Sequence, residues 1–253
     1  MGPAKIQGDA VCAIMDNIST NIVSWLKEQV EKSGAKGLVF GLSGGIDSAC
    51  VGVLCRKAVK DNCLGLIMPC ESHVDDEDMA SLVANKFSIP ITKICLDKPF
   101  KKLLDVLPAS KNNIVRANLK PRLRMLTLYY YAANYGYLVC GCSNKTEIKL
   151  GYYTKYGDGA ADILPLGNLL KTQVRQLAKD LSIPPEIIAR KPSAGLCPDQ
   201  FDEDEIGLLY DETDTILKAI ERNDIRDIDK QNLGKITSMI SNSQHKRDSI
   251  PTP

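Results

Sequence analysis

Apolar and polar positions follow two distinct rhythms along the first 150 residues. Between residues 10 and 33, Ile14, Ile18, Ile22, Trp25, Leu26 and Val30 recur at helical spacing, and Gly34 ends the run. That pattern predicts an amphipathic helix. Four short, almost wholly apolar runs, 38–42, 64–68, 91–96 and 138–142, have the length and composition of buried strands. Helical patterns over 46–60, 76–87 and 116–135 separate them, with Asp75 in the N-cap position of the second. Strands alternating with helices predict an α/β fold, a doubly wound and mostly parallel sheet with helices on both faces and right-handed crossovers. Ligands of such sheets bind beyond the carboxyl ends of the strands, near a switch point, which is where Ser43 and Cys142 would lie.

Past residue 150 the rhythm breaks. The stretch GYYTKYGDGAAD, residues 151–162, is rich in Gly, Tyr and charge and reads as a loop. A helix is expected over 168–181, a second irregular stretch over 191–205, and helices again near 203–222 and 231–241. The tail SQHKRDSIPTP has too few apolar residues to order itself. Long loops inside a compact domain are usually functional or disordered, and two of them suggest mobile covers over a site.

Composition narrows the classes. A chain of 253 residues suffices for one large domain, and 44% hydrophobic with 25% charged residues is ordinary for a globular protein. A net charge of +1 gives no general attraction to nucleic acid or to an anionic membrane. No apolar run has the length to span a bilayer, and the N-terminus MGPAKIQGDA has no apolar export core, so a cytoplasmic protein is expected. The nine cysteines are odd in number, scattered and without a C-x-x-C pair, which fits reduced thiols rather than disulfides or zinc.

The densest chemistry lies in LVFGLSGGIDSAC, residues 38–50. A strand runs into a Ser-Gly-Gly turn, and an Asp-Ser pair opens a helix. Gly44 and Gly45 let the backbone approach a ligand closely, and N–H groups at a helix start attract anions. Ser43 and Ser48 add hydroxyls, and the Asp47 carboxylate suits magnesium. No lysine is present in the loop, which matches neither G-x-x-x-x-G-K-[ST] nor G-x-G-x-x-G. This S-G-G-x-D-S spacing resembles the pyrophosphate loop of the ATP-pyrophosphatase superfamily, whose adenine nucleotide alpha hydrolase-like fold agrees with the predicted sheet. The resemblance implies ATP contacts from Gly41, Leu42, Ser43, Gly44, Gly45, Ile46, Asp47 and Ser48.

The second half is more specific. SNKTEIKLGYYTKYGDGAADILPLGNLLKTQVRQLA and KPSAGLCPDQFDEDEIGLLY resemble the NAD synthetase family, and the likeness runs from about residue 10 to the end as a single domain, residues 1–253. The family reaction adenylates the carboxylate of deamido-NAD with ATP and displaces AMP with ammonia. By this resemblance Asp47 and Glu147 hold Mg2+, while Lys171 and Ser193 meet the ATP phosphates. Cys142 stands where many members carry threonine, so backbone is expected to make that nucleotide contact. Arg122, Lys155, Asp162, His245 and Lys246 match substrate positions, and Asp162 also steers ammonium. The resemblance further implies free ammonia as the nitrogen source, with no glutaminase domain, and a two-fold homodimer. Plainer roles compete: Asp47 as a helix cap, Glu147 as a dipole partner, Lys155 and Asp162 as a salt bridge within their loop, and Arg122 with Arg124 as structural pairs. Rival activities are another ATP-pyrophosphatase amide synthetase, a tRNA thiolase, or a non-catalytic nucleotide-binding module.

Overall fold

The computed structural model describes residues 3–193, 195 and 201–253. After helix α1 (Pro3–Ser33) come β1 (Gly37–Gly41), α2 (Ile46–Val59), β2 (Cys63–Ile67), α3 (Val74–Phe87) and β3 (Ile91–Lys93). Next follow α4 (Asp97–Val106), α5 (Asn113–Ala117), α6 (Leu119–Tyr135), β4 (Tyr137–Val139) and α7 (Lys145–Leu150). The chain continues through α8 (Lys171–Asp180), α9 (Pro185–Ile188), α10 (Asp202–Ile206), α11 (Tyr210–Arg222) and α12 (Lys230–Asn242), then a 3-10 turn at Gln244–Lys246. None of the described helices is long and apolar enough to cross a membrane.

The four strands are parallel in the order β3-β2-β1-β4. From β1 the chain winds outward through β2 to β3 and then returns to pair β4 on the other side of β1. The switch point therefore lies between β1 and β4, and the doubly wound expectation holds. Period-two alternation sends Leu38 and Phe40 to one face and Val39 to the other. The first face is covered by α1, α2, α3 and α8, whose core includes Leu26, Leu54, Val83 and Leu177. The second is covered by α4 and α6, through Phe100 and Ala132. A separate apolar cluster built on Leu150, Leu170, Ile206, Tyr210, Leu217 and Ile236 joins α7, α10, α11 and α12 beside the sheet.

Several boundaries differ from expectation. Helix α4 went unread because Pro99 interrupts DKPFKKLLDV, yet it sits in the first turn, where a missing N–H costs nothing. The 116–135 pattern divides at Asn118 into α5 and α6. The 203–222 pattern divides at Gly207, whose φ of +67° ends α10. His73, not Asp75, occupies the N-cap of α3, and Asp75 falls within its first turn.

The larger correction concerns the tail, which is ordered without an apolar anchor. Arg247 donates to the carbonyls of Ile148 (3.2 Å), Lys149 (2.9 Å) and Ile240. It thereby satisfies the orphan carbonyls at the end of α7. Lys246 donates to the carbonyls of Gly151 and Tyr153, both at 2.6 Å. Arg247→Met should cost about 1–3 kcal/mol, since several half-buried carbonyls lose their partner. Thermal melting and faster proteolysis beyond residue 242 would register it.

Candidate active site

The loop after β1 is shaped by its own hydroxyls. Ser43 and Ser48 share a hydrogen bond at 3.1 Å, the Ser43 N–H donates to Ser48 Oγ at 3.2 Å, and Ser48 Oγ donates to the Gly45 carbonyl at 2.9 Å. Gly44 has φ +82°, and a Cβ there would overlap the Asp76 carbonyl oxygen, because the first turn of α3 closes onto the loop. Gly45 is the N-cap of α2 and receives no side-chain cap, so Asp47 is not spent on capping.

Asp47 instead faces α7 and α8. The Lys171 ammonium lies 2.5 Å from Asp47 Oδ2 and 3.1 Å from Glu147 Oε1. The lysine side chain is 3% exposed and each carboxylate side chain 16%. Asn144 donates from Nδ2 to Asp47 Oδ1 at 2.8 Å. Asn144 also forms a capping box with Glu147 at the start of α7, so Glu147 has a capping role as well as an ionic one. Burial works against the Lys171 charge, but Asp47 and Glu147 outweigh it and hold the amine above the ordinary lysine range. Burial pushes Glu147 up to about 7 against the pull of Lys171.

A buried carboxylate fixes the backbone that carries Lys171. Asp214, 1% exposed, accepts from the Thr146 hydroxyl at 2.5 Å and from the Thr172 N–H at 2.8 Å. Thr146 Oγ1 in turn accepts from the Lys171 N–H at 3.0 Å. Below the ammonium lies the Tyr210 ring, 5.1 Å to its centroid. Cys142 donates its thiol to the Gly41 carbonyl at 3.6 Å, and desolvation pushes that thiol well above its usual range. Its sulfur is thus occupied by backbone.

The remaining expected residues gather elsewhere. A cleft of about 310 Å³ is lined by Tyr129, Tyr153, Lys155, Tyr156 and Lys246, among others. The Lys155 amine donates to the His245 carbonyl, and Arg122 donates to the Lys155 carbonyl at 3.3 Å. Asp162 does not pair with Lys155: it accepts from the Val139 N–H at 2.7 Å and from the Tyr129 hydroxyl at 3.2 Å. Arg124 bonds the Met68 carbonyl and the Ser72 hydroxyl rather than a carboxylate. Ser193 is exposed, its hydroxyl accepting from the Gly195 N–H at 3.1 Å, and among the described residues it has no hydrogen bond to the carboxylate group. A larger cavity of about 360 Å³ between α11 and α12 is lined by Asp211, Glu212, Asp227 and Asp229 and holds none of the expected residues.

Sequence reasoning missed Asn144, Thr146, Asp214 and Tyr210. For Asn144 the signal was present, since N-x-x-E before an apolar run is a capping-box pattern. The other three reach the site only by tertiary packing.

Two carboxylates and one amine, set beside a glycine turn at the switch point, can bind a cation and a polyphosphate together. The family described as NAD synthase matches residues 18–250. The NH(3)-dependent NAD(+) synthetase of Finegoldia magna is 45% identical over 227 residues, 90% of this chain and 91% of that protein. The solved NMN synthetase of Francisella tularensis superposes with a TM-score of 0.88 and 36% identity, covering 94% of this chain and 98% of that one. The NH3-dependent NAD synthetase of Campylobacter jejuni gives a TM-score of 0.83 at 29% identity, over 94% and 99% of the two chains.

Asp214→Asn keeps the volume but leaves one acceptor oxygen for the two donors, the Thr146 hydroxyl and the Thr172 N–H. The variant should lose about 1–3 kcal/mol of stability. Denaturant titration would measure that loss, and a wild-type midpoint would remove Asp214 from the support of Lys171.

Proposed function

The chain belongs to the NAD synthase family, and on that premise we propose that it amidates deamido-NAD with free ammonia, consuming ATP. The observation that carries this reading is the Asp47–Lys171–Glu147 cluster beside the Ser43–Ser48 loop. The substrate carboxylate attacks the α-phosphorus of ATP and pyrophosphate leaves, giving an acyl adenylate. Ammonia then attacks the acyl carbon, AMP leaves, and the new nitrogen loses a proton. The loop from Gly41 to Ser48 would receive the pyrophosphate through N–H and hydroxyl donors. Lys171 supplies from 124 residues away the cation that the loop lacks.

Asp47 and Glu147 fit magnesium. Both are hard oxygen donors, and both already grip one cation between them. Two carboxylates with the rest of the shell left to phosphates and water is a usual arrangement for this ion. Magnesium bound there would neutralise charge on the triphosphate. The basic, tyrosine-lined cleft with Lys155 and Lys246 would take the dinucleotide, with Arg122 and His245 at its edge. Asp162 is exposed yet held at both oxygens, which supports a fixed carboxylate for receiving ammonium. Ser193 would meet the phosphates from the neighbouring loop. A two-fold homodimer belongs to the same reading, and Leu126 and Tyr130, one turn apart on α6 and 64% and 67% exposed, support it.

Ammonia rather than glutamine is supported by relatives at 40–45% identity that are named for it. A second substrate has its own support in the 36% identity to an NMN synthetase. The acid form of that mononucleotide offers the same carboxylate on the same ring.

The deciding assay supplies ATP, magnesium and ammonium with either acid, and reads AMP together with the amide product. Deamido-NAD should be turned over with the higher kcat/KM. Preference for the mononucleotide would reassign the substrate, and AMP release with neither acid would reject the reading. Asp47→Asn should lower kcat by roughly a hundredfold or more, the scale of losing a transition-state electrostatic contact.

A further inference from the structure

The oxygens assigned to magnesium are the oxygens that Lys171 now occupies. Its ammonium lies 2.5 Å from Asp47 Oδ2 and 3.1 Å from Glu147 Oε1. A divalent ion bound to both carboxylates would stand within a few ångströms of that ammonium, and like charges at such range in a buried site repel strongly. The two cations exclude each other from this seat.

The displaced ammonium cannot simply enter water, because the Lys171 side chain is 3% exposed. Its backbone is pinned by Thr146 and, through Thr172, by Asp214, so only side-chain rotation is free. One surface is already in reach, the face of Tyr210, 5.1 Å from Nζ. Tyr210 is wholly buried, and its hydroxyl donates to Asp202 Oδ2 at 2.9 Å. Asp202 is itself 4% exposed, and its Oδ1 has no hydrogen-bond partner among the described residues. A buried carboxylate oxygen with no partner is costly unless a cation or donor comes to it. Asp202, like Asp47 and Glu147, interacts electrostatically with the Lys171 ammonium.

We propose that Tyr210 and Asp202 form a second seat for the Lys171 ammonium, so that Lys171 is the resident cation of the Asp47–Glu147 pair and yields it to an arriving metal. Cation–π attraction and the open Asp202 oxygen hold the amine after the exchange. Tyr210 and Asp202 are then positioning residues, acting through Lys171. The exchange keeps the carboxylates paired in the empty site and keeps the lysine paired once metal is present. The inference rests on the proposed magnesium role of Asp47 and Glu147.

The test is Mn2+ binding to nucleotide-free protein, followed by the electron paramagnetic resonance signal of the free ion. Lys171→Met should bind Mn2+ about tenfold more tightly than wild type, since a close charge pair no longer competes. Asp202→Asn and Tyr210→Leu should bind it severalfold more weakly, and Tyr210→Phe, which keeps the ring, should recover much of the loss seen with leucine. If Lys171→Met binds no tighter than wild type, displacement is overturned. If Asp202→Asn matches wild type, the second seat is overturned whether or not Tyr210→Leu folds. Asp47→Asn separates the two readings: undiminished Mn2+ binding in that variant would reject the metal site itself.

Discussion

One ammonium between two carboxylates is the contact on which the rest of the molecule depends. Asp47 lies in the first turn of α2, Glu147 in the first turn of α7 and Lys171 at the start of α8, so a single ion cluster ties together three helix starts far apart in sequence. Buried charges are tolerated only when paired and hydrogen-bonded, and here each member has further partners. Asn144 holds Asp47 and caps Glu147, and Thr146 with Asp214 holds the backbone at Lys171. The strands exist, in functional terms, to bring these helix starts to the carboxyl end of the sheet at its switch point. Apolar packing covers both faces of the sheet that carries them.

The C-terminal tail is held by a different force. Leu166, Val174 and Leu177 join the main core and Ile206, Tyr210 and Ile236 a second apolar cluster, whereas the tail is held by cations that donate to backbone carbonyls. Arg247 and Lys246 between them bond carbonyls of Ile148, Lys149, Gly151, Tyr153 and Ile240. A guanidinium can satisfy several carbonyls at once, which explains how a tail with few apolar residues docks. The same docking forms one wall of the tyrosine-lined cleft, because Lys246, Asp248, Ser249 and Ile250 line it.

What was legible in the sequence divides along the same line. The strands and the Ser43–Ser48 turn announce themselves through local pattern: two-residue alternation, glycines at a corner, an acid at a helix start. Leu38, Val39 and Phe40 point to the faces that alternation requires. Asp47, Glu147 and Lys171 were named from their resemblance to a family, and the structure brings them into one cluster. Tyr210 and Asp214 carried no such signal, since a tyrosine and an aspartate in an amphipathic helix look like ordinary surface and core. Their importance arises only when α11 packs against α7 and α8. The tail was misread for a related reason: hydropathy is blind to an arginine whose partners are carbonyls.

Helix α7 is where the two forces meet. It has six residues, a rod of about 9 Å. At its start Asn144 grips Asp47 and Glu147 grips Lys171. At its end Arg247 takes the Ile148 and Lys149 carbonyls, and Lys246 takes the Gly151 carbonyl just beyond. A shift of this rod along its axis would break hydrogen bonds at one end or the other. The carboxylate cluster and the tail-lined cleft are therefore held by the two ends of one short helix.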